Sequence, residues 1–165
     1  MKRFLGVKTL AMPSPVSAVG NYAAAGTPNL MAVARGATCC SKPPAVSVSL
    51  RKATYKHAWV VRRRAFTVNI PSVVCAGAAD LVGAFSGLGD GDSCAAAGLT
   101  AVPSDLVDAP HVREFPLNPE CRLVDSLQLG RHMLFVGEIV DVKADEEVLG
   151  GRIGQAVAAR TAATA

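Results

Sequence analysis

The sequence predicts a mainly β protein with a few inserted helices, built around an antiparallel barrel. Apolar and polar residues alternate in residues 46–51 and again in 66–70, which is the period of a strand with one buried face. Two longer β segments, 121–129 and 132–143, are separated by Gly130-Arg131, which is the length of a two-residue hairpin turn. The predicted strands do not alternate regularly with helices, as the strands of a parallel sheet would.

Length and composition favour a single globular domain. The chain has 165 residues, of which 50% are hydrophobic and 18% are charged, enough for a real core. Aromatic residues make up 5%, so small side chains supply much of the apolar content. The net charge of +4 fits an anionic ligand, but the basic residues are too few and scattered to indicate a nucleic-acid partner.

Cysteine usage indicates a reducing compartment. The count is odd and no C-x-x-C pair occurs, so we expect five free thiols at Cys39, Cys40, Cys75, Cys94 and Cys121. The histidines show no paired spacing with these cysteines, and we therefore expect no metal.

The N-terminal residues resemble a signal peptide only at first sight. Lys8 interrupts the apolar stretch, and Pro13 and Pro15 end it. No apolar run is long enough to span a bilayer, so we expect a cytoplasmic protein without a membrane partner.

The first half of the chain predicts two hairpins. Residues 16–22 and 29–34 are predicted strands joined by the turn residues 25–28. The next predicted strand precedes Pro43-Pro44, which fix φ and break any helix, and the strand 46–50 follows.

The junction after this second hairpin is the first candidate binding site. Arg51 and Lys52 lie beside Thr54, where a helix is predicted to begin, and two cations with free backbone N–H groups suit a phosphate. The alternative is an ordinary loop with a Thr N-cap and solvated charges. Gly36 and Ala37 would let a flat ligand approach the backbone, or else mark a bulge.

The middle of the chain predicts helices around one strand. Residues 55–63 have helical spacing and lead into the basic run 62–64, which is either a solvated helix end or a binding patch. Asn69 either presents its amide to a ligand or faces water. Residues 72–85 are predicted to be a helix with Ser72 as N-cap, and residues 92–97 a short helix ended by Gly98.

The last part combines a strand, a connection and the long hairpin. Residues 99–102 are a predicted short strand, and 103–119 a proline-punctuated connection. Its polar residues are either an acid/base site or a surface loop: Asp105, Asp108, His111 and Glu114. In the first strand of the hairpin, Cys121, Leu123, Leu127 and Leu129 are predicted to share one side. In the return strand, Val140 and Val142 are predicted to share one side, with Asp141 and Lys143 on the other. His132 lies at its mouth, as a core or surface residue or as a ligand contact.

An ordered set of short motifs resembles the flavin reductase-like FMN-binding split-barrel family, and most closely its flavoredoxin branch. The motifs are Pro28-Asn29-Leu30-Met31, Cys40-Ser41-Lys42-Pro43-Pro44, Ser49-Leu50-Arg51-Lys52-Ala53-Thr54, Phe66-Thr67-Val68-Asn69-Ile70-Pro71, Ser86-Gly87, Asp108-Ala109-Pro110, and His132 with Phe135-Val136-Gly137-Glu138-Ile139-Val140. The resemblance covers roughly residues 5–150, and implies a split-barrel domain over 1–150 followed by an Ala-rich tail over 151–165.

The resemblance implies a six-stranded antiparallel split barrel that forms a homodimer and holds FMN near the subunit interface. It implies flavin around Asn29, Arg35, Ala37, Thr38, Cys39, Cys40, Ser49, Leu50, Arg51, Thr54, Ser93 and His132. Within this set, Arg51 and Thr54 would lie near the phosphate and His132 beside the isoalloxazine. It implies no catalytic side chain, because the flavin carries out the chemistry.

Several positions depart from the family pattern. Arg35 and Ser17 stand where this branch usually has Trp, and Asp92-Ser93-Cys94 replaces Asp-Lys-Phe. The long aromatic-containing final segment of the family is also missing. Loss of one charge-assisted contact typically costs about 1.5–3 kcal/mol, or roughly ten- to a hundredfold in affinity.

Three functions remain open at this point. The first is an enzyme that transfers a hydride from NAD(P)H to flavin. The second is an FMN-binding carrier that passes electrons to a protein partner and has no nicotinamide activity. The third is a split-barrel dimer that has lost its flavin.

Overall fold

The computed structural model describes residues 2–11, 14–52, 57–85 and 92–149. Its strands are β1 (Ser17–Tyr22), β2 (Pro28–Val33), β3 (Gly36–Ser41), β4 (Pro44–Arg51), β5 (Ala65–Asn69), β6 (Ala101–Pro103), β7 (Pro110–Val112), β8 (Leu117–Leu129) and β9 (His132–Ala144). Its helices are α1 (His57–Arg63), α2 (Ala76–Phe85), α3 (Ser93–Ala96) and α4 (Glu146–Leu149), with a 3₁₀ turn at Val73–Cys75. The predicted tail over 151–165 lies outside the described residues.

Seven strands form one antiparallel sheet in the order β2-β1-β5-β8-β9-β4-β3. The sheet curls around a core without closing, so β2 and β3 are its two edges. The short strands β6 and β7 form a separate antiparallel pair. The prediction of an open antiparallel barrel with inserted helices is therefore confirmed, and the main sheet has seven strands where six were expected.

The first core fills the inside of the curled sheet. Val19, Val48 and Phe135 are fully buried there, and the ring of Phe66 crosses the backbone of β9 at Gly137. A side-chain carbon at Gly137 would overlap that ring. Glycine is therefore required at this position by the close approach of Phe66, and not by its backbone angles.

A second core lies between the sheet and the helices α2 and α3. It contains Leu30, Val82 and Phe115, which are all fully buried. The predicted helix over 72–85 instead begins with the 3₁₀ turn, because the Ser72 side chain makes no capping hydrogen bond. Helix α3 agrees with its prediction: the Asp92 carboxylate caps it.

Asn69 has neither of the roles expected for it. The residue is fully buried, and its amide donates to the Ala18 carbonyl at 2.8 Å and to Thr67 Oγ1 at 2.9 Å. Its Oδ1 accepts from the Val112 N–H at 2.9 Å. Asn69 therefore joins β1, β5 and β7 and is not available to a ligand or to water.

The basic run 62–64 lies at the end of α1, where Arg62 and Arg64 are exposed but all three side chains contact other groups of the protein. Arg63 donates to the carbonyls of Tyr22 at 3.0 Å and Ala23 at 2.7 Å. Its remaining nitrogen forms an ion pair with Asp108 at 2.6 Å. Arg63 thus fastens α1 to the loop that joins β1 and β2.

The neighbouring arginines, Arg62 and Arg64, also contact groups of the same chain. The guanidinium of Arg62 lies 5.1 Å from the ring centre of Trp59, a cation–π distance. Arg64 has a positive φ of 52° and donates to the Leu123 carbonyl at 3.1 Å. The first contact lies within α1, and the second connects the residue after α1 to β8.

The connection predicted over 103–119 contains strand β7 and the start of β8. Pro103 faces Pro110 in the two-stranded sheet, where short strands tolerate proline. The acidic residues do not form an acid/base site, because each has a different partner. Asp105 pairs with Lys143 at 2.7 Å, Asp108 with Arg63, and Glu114 accepts from the Thr100 N–H at 2.9 Å.

The long hairpin departs from a simple alternation. Bulges lie between Glu120 and Cys121 and between Leu123 and Asp125, and each inserted residue changes which side faces inward. Cys121 and Leu123 are buried, but Leu127 and Leu129 lie on the opposite face and are about half exposed, so the prediction that these residues share one side was wrong. Val140 is half-buried, and Val142 is 44% exposed.

Replacement of Gly137 by Ala should lower the free energy of unfolding by about 1–3 kcal/mol, because Phe66 and the backbone must move apart. Gly77→Ala is the matched control: a side-chain carbon at Gly77, in α2, has open space around it, and Ala favours a helix over Gly. Urea unfolding of both variants measures the difference. Equal stability of the two would contradict the close Phe66 packing.

Candidate functional site

Strands β4 and β9 pair so that the polar residues at the end of β4 lie opposite the first residues of β9. Arg51 lies directly opposite His132, and Ser49 opposite Leu134, so each pair shares one face of the sheet. Leu50 lies on the other face and is buried in the first core. The predicted alternation of β4 is confirmed, and its polar residues are directed away from the core.

This polar face forms part of a groove made of two adjoining cavities. The first has a volume of about 320 Å³ and is lined by Met31, Ala32, Val33, Ala34, Arg35, Ser49, Leu50, Arg51 and His132. The second has a volume of about 830 Å³ and is lined by Lys8, Thr9, Leu10, Ala11, Ser14, Val16, Ala34, Arg35, Gly36, Ala37, Ser47, Ser49, Leu129 and Leu134. Ala34, Arg35 and Ser49 border both, so the two cavities adjoin each other.

The groove is cationic. Lys8, Arg35 and Arg51 line it, and no carboxylate occurs among its described lining residues. The Ser49 N–H donates to the Arg35 carbonyl at 2.8 Å, which holds the backbone of Arg35 between β2 and β3. A groove with this lining favours a ligand that carries negative charge.

A different cavity, of about 560 Å³, is also lined by arginines. We call it the arginine cavity. Its guanidiniums already have partners: Arg63 pairs with Asp108, and Arg122 pairs with Glu138 at 2.9 Å. Arg64 donates to a backbone carbonyl, as described above. Arginine side chains in this cavity are therefore already engaged within the protein.

Asn29 and Ser93 meet each other away from the groove. Ser93 Oγ donates to Asn29 Oδ1 at 3.2 Å and accepts from the Leu30 N–H at 2.8 Å. Both residues are at least 97% buried, and neither is among the described residues that line the groove. Their predicted contact with a ligand stays a prediction, and in the structure they join β2 to α3.

The β3 residues lie along an exposed edge. Ala37 lines the second cavity, whereas Thr38 borders a separate pocket between β3 and β5. Cys39 lies at a bulge in the pairing with β4, and Cys40 follows it, both exposed and outside the described groove lining. Their predicted role at the ring edge stays a prediction. Thr54 lies outside the described residues.

Sequence reasoning missed most of the residues that line the second cavity, among them Lys8, Leu10, Leu129 and Leu134. Leu134 could have been predicted from the sequence, because it lies two residues after His132 in β9 and therefore on the same face of the strand. Nothing in the local sequence places Lys8 in the same cavity as Arg35, because that placement depends on the path of the segment before β1.

Other kinds of site find no support in the part of the chain that the structure describes. No group of three or more His, Cys, Asp or Glu side chains there has a metal-binding arrangement. None of the helices there is long and apolar enough to cross a membrane.

Comparison with known proteins identifies what this fold is similar to. A family model described as a flavin reductase-like domain matches residues 9–156. The structure of flavoredoxin from Desulfovibrio vulgaris (Miyazaki F) superimposes with a TM-score of 0.83 at 47% identity, covering 89% of this chain and 78% of that one. Flavoredoxin from Methanosarcina acetivorans gives 0.77 at 26% identity, with 88% and 77% covered. A Shewanella frigidimarina protein with a split barrel domain gives 0.76 at 23% identity, with 82% and 69% covered, and shows the fold alone.

The fold and the groove define a split-barrel protein with a cationic cleft at the open side of its sheet. The chain belongs to the flavin reductase-like family of flavin-binding split-barrel proteins, as the resemblance predicted.

The five thiols of the native protein should fall into three classes, of which the half-buried Cys75 is an intermediate one. Cys39 and Cys40 are exposed, whereas burial raises the pKa of Cys94 and of Cys121 to about 12. A buried thiol that stays protonated is a poor nucleophile. At pH 8 we expect a disulfide reagent to modify two thiols rapidly, and Cys94 and Cys121 only after denaturation.

The variant in which Cys39 and Cys40 are both replaced by Ser is the control, and should lose the rapid phase. A rapid phase that persists in this variant would show that the placement of the cysteines is wrong.

Proposed function

We propose that the groove binds FMN and that the protein transfers a hydride from NAD(P)H to it. The observation that carries this proposal is the position of Arg51 opposite His132 in a groove whose described lining holds three cations and no carboxylate. FMN combines a phosphate with a flat aromatic ring, and the groove offers matching chemistry for both parts.

The residues present fit this cofactor. The Arg51 guanidinium suits the phosphate, because Arg binds phosphate oxygens through paired N–H donors. Ser49 lies on the same face of β4, two residues away, and its hydroxyl can hydrogen-bond the polar ribityl chain. Ala32 and Ala34, which are at least partly exposed, supply a small apolar wall in the same cavity.

The flavin, when bound, supplies the hydride-accepting chemistry of the reaction. The protein binds and orients it: Arg51 fixes the phosphate, and His132 lies at the same end of the groove with a side chain that can donate a hydrogen bond. Arg35 borders both cavities and places a positive charge where a reduced, anionic ring would be stabilised.

We also propose that the protein acts as a cytoplasmic homodimer. Leu10, Val16 and Leu129 are 48–61% exposed around the second cavity, and β3 is an unpaired edge. A second copy of the chain would cover these apolar side chains and complete the wall of the groove. The exposed thiols of Cys39 and Cys40 suit a reducing compartment.

A second candidate is an FMN-binding electron carrier that has no nicotinamide activity and is reduced by a protein partner. The 47% identity to a flavoredoxin favours this candidate. NADH or NADPH oxidation at saturating FMN separates the two functions. Turnover supports the enzyme, whereas a protein that binds FMN stably and does not oxidise either nucleotide supports the carrier. A chain with no FMN affinity would support the third function, a split-barrel dimer that has lost its flavin.

Arg51→Ala should weaken FMN binding about ten- to a hundredfold and leave riboflavin binding nearly unchanged, because only FMN carries the phosphate. Quenching of flavin fluorescence measures both dissociation constants.

Arg113→Ala is the matched control, since Arg113 is exposed and is not among the described residues of the groove. An equal loss for FMN and riboflavin in Arg51→Ala would show that Arg51 does not contact the phosphate.

A further inference from the structure

We propose that His111, Glu120 and Lys143 form a pH-sensitive clasp, which holds the loop between β6 and β7 closed at neutral pH and releases it when His111 takes up a proton. The loop comprises residues 104–109. No residue of the clasp is among the described residues that line the groove, so the inference is independent of flavin binding.

Two contacts fasten the start of the loop to the long hairpin. One oxygen of the Glu120 carboxylate, in β8, accepts from the Leu106 N–H at 3.0 Å. Lys143, in β9, forms an ion pair with Asp105 at 2.7 Å. The Lys143 ammonium also lies 2.9 Å from Asp141 and 3.7 Å from the second oxygen of Glu120, so it joins three carboxylates.

The far end of the loop has a separate anchor. Asp108 pairs with Arg63 at 2.6 Å, and this pair contains neither a histidine nor a residue of the hairpin. The two ends of the loop can therefore open independently. Leu106, whose N–H binds Glu120, reports on the end that the clasp holds.

His111 lies in β7 with a buried nitrogen that has no partner. Its residue faces Val102 of β6 in the two-stranded sheet, and its Nδ1 forms no hydrogen bond with a described residue. His111 and Lys143 border one cavity of about 260 Å³, which Asn118 also lines. The Oδ1 of Asn118 is buried there, again with no hydrogen bond to a described residue. A proton on Nδ1 thus finds no ready acceptor.

The charges that act on the His111 ring come from the hairpin and the loop. They are Glu120 in β8, Lys143 in β9 and Asp105 in the loop, with Asp141 paired to Lys143 and with Arg113 and Asp145 on the shared cavity. Strands β1, β5 and β6 also pack against β7, but they contain no carboxylate or basic side chain.

Burial makes the closed loop favour a neutral His111. A protonated ring would bury an N–H without an acceptor and would add positive charge near Lys143. Burial lowers the pKa of His111 below its ordinary value of 6.5, although Glu120 and Asp105 act in the opposite direction. The open loop lets the ring meet water and titrate normally. The closed loop therefore loses stability as the pH falls through about 6.5.

Opening of the clasp would change the arginine cavity and leave the groove intact. Leu106, Val107 and Asp108 line the arginine cavity, and all three belong to the loop. Movement of Leu106 away from Glu120 would widen that cavity. Acid would thus act on a surface of the protein that is distinct from the proposed flavin site.

Amide hydrogen exchange, measured by NMR between about pH 7.5 and about pH 5.5 and corrected for the intrinsic exchange rates, tests the clasp. Protection of the Leu106 N–H should fall at least about threefold over this range. The Leu123 N–H, which binds the Arg64 carbonyl, should keep its protection. His111→Gln should abolish the fall, because glutamine gains no proton. His57→Gln, which removes a histidine from α1, is the matched control and should retain it.

Four results would overturn the inference: constant Leu106 protection in the wild-type protein, a fall that persists in His111→Gln, an equal fall at Leu123, or higher protection in acid. The last result would mean that protonated His111 binds Glu120 and closes the loop. If His111→Gln does not fold, the NMR titration of the His111 ring in the wild-type protein decides. A pKa below 6.5 supports the clasp, and a pKa at or above 6.5 contradicts it.

Discussion

The register between β4 and β9 is the constraint on which the site depends. Val48, Leu50 and Phe135 are buried on one face of this strand pair, and their burial fixes which residues face outward. A slip of one residue would turn the apolar set to solvent and bury Arg51. The same packing that stabilises the barrel therefore holds Arg51 opposite His132.

Much of this arrangement is visible in the sequence because it depends on local patterns. The alternation of β4, the hairpin turn at Gly130 and the short helix before Gly98 each depend on residues close together in the chain, and the structure agrees with each of them. The family motifs add the long-range order of the strands, which local patterns alone do not define.

The features that the sequence did not reveal depend on contacts between distant segments. Asn69 is buried because β7 packs over β5, and nothing within 66–70 indicates this. Glu120 is fully buried beside Lys143, at 3.7 Å, although an acidic residue at a strand end normally suggests exposure. The bulge between Leu123 and Asp125 changes the facing of Leu127 and Leu129 without any glycine or proline to mark it.

The departures from the family pattern have different structural consequences. Ser93 and Cys94 are buried in the second core, where the burial that raises the pKa of Cys94 would equally oppose a charged side chain. Arg35, by contrast, stands on the groove and adds charge to it. The positive charge that lines the groove thus includes Arg35 at the edge of the sheet and Lys8 in the segment before β1, and none comes from the start of α3.

The most direct measurement of the central claim is a crystal structure of the protein grown with FMN. The account predicts one flavin in the groove, with its phosphate on Arg51 and its ring near His132 and Arg35. Flavin density over the arginine cavity, or a groove that stays free of flavin at saturating FMN, would contradict it.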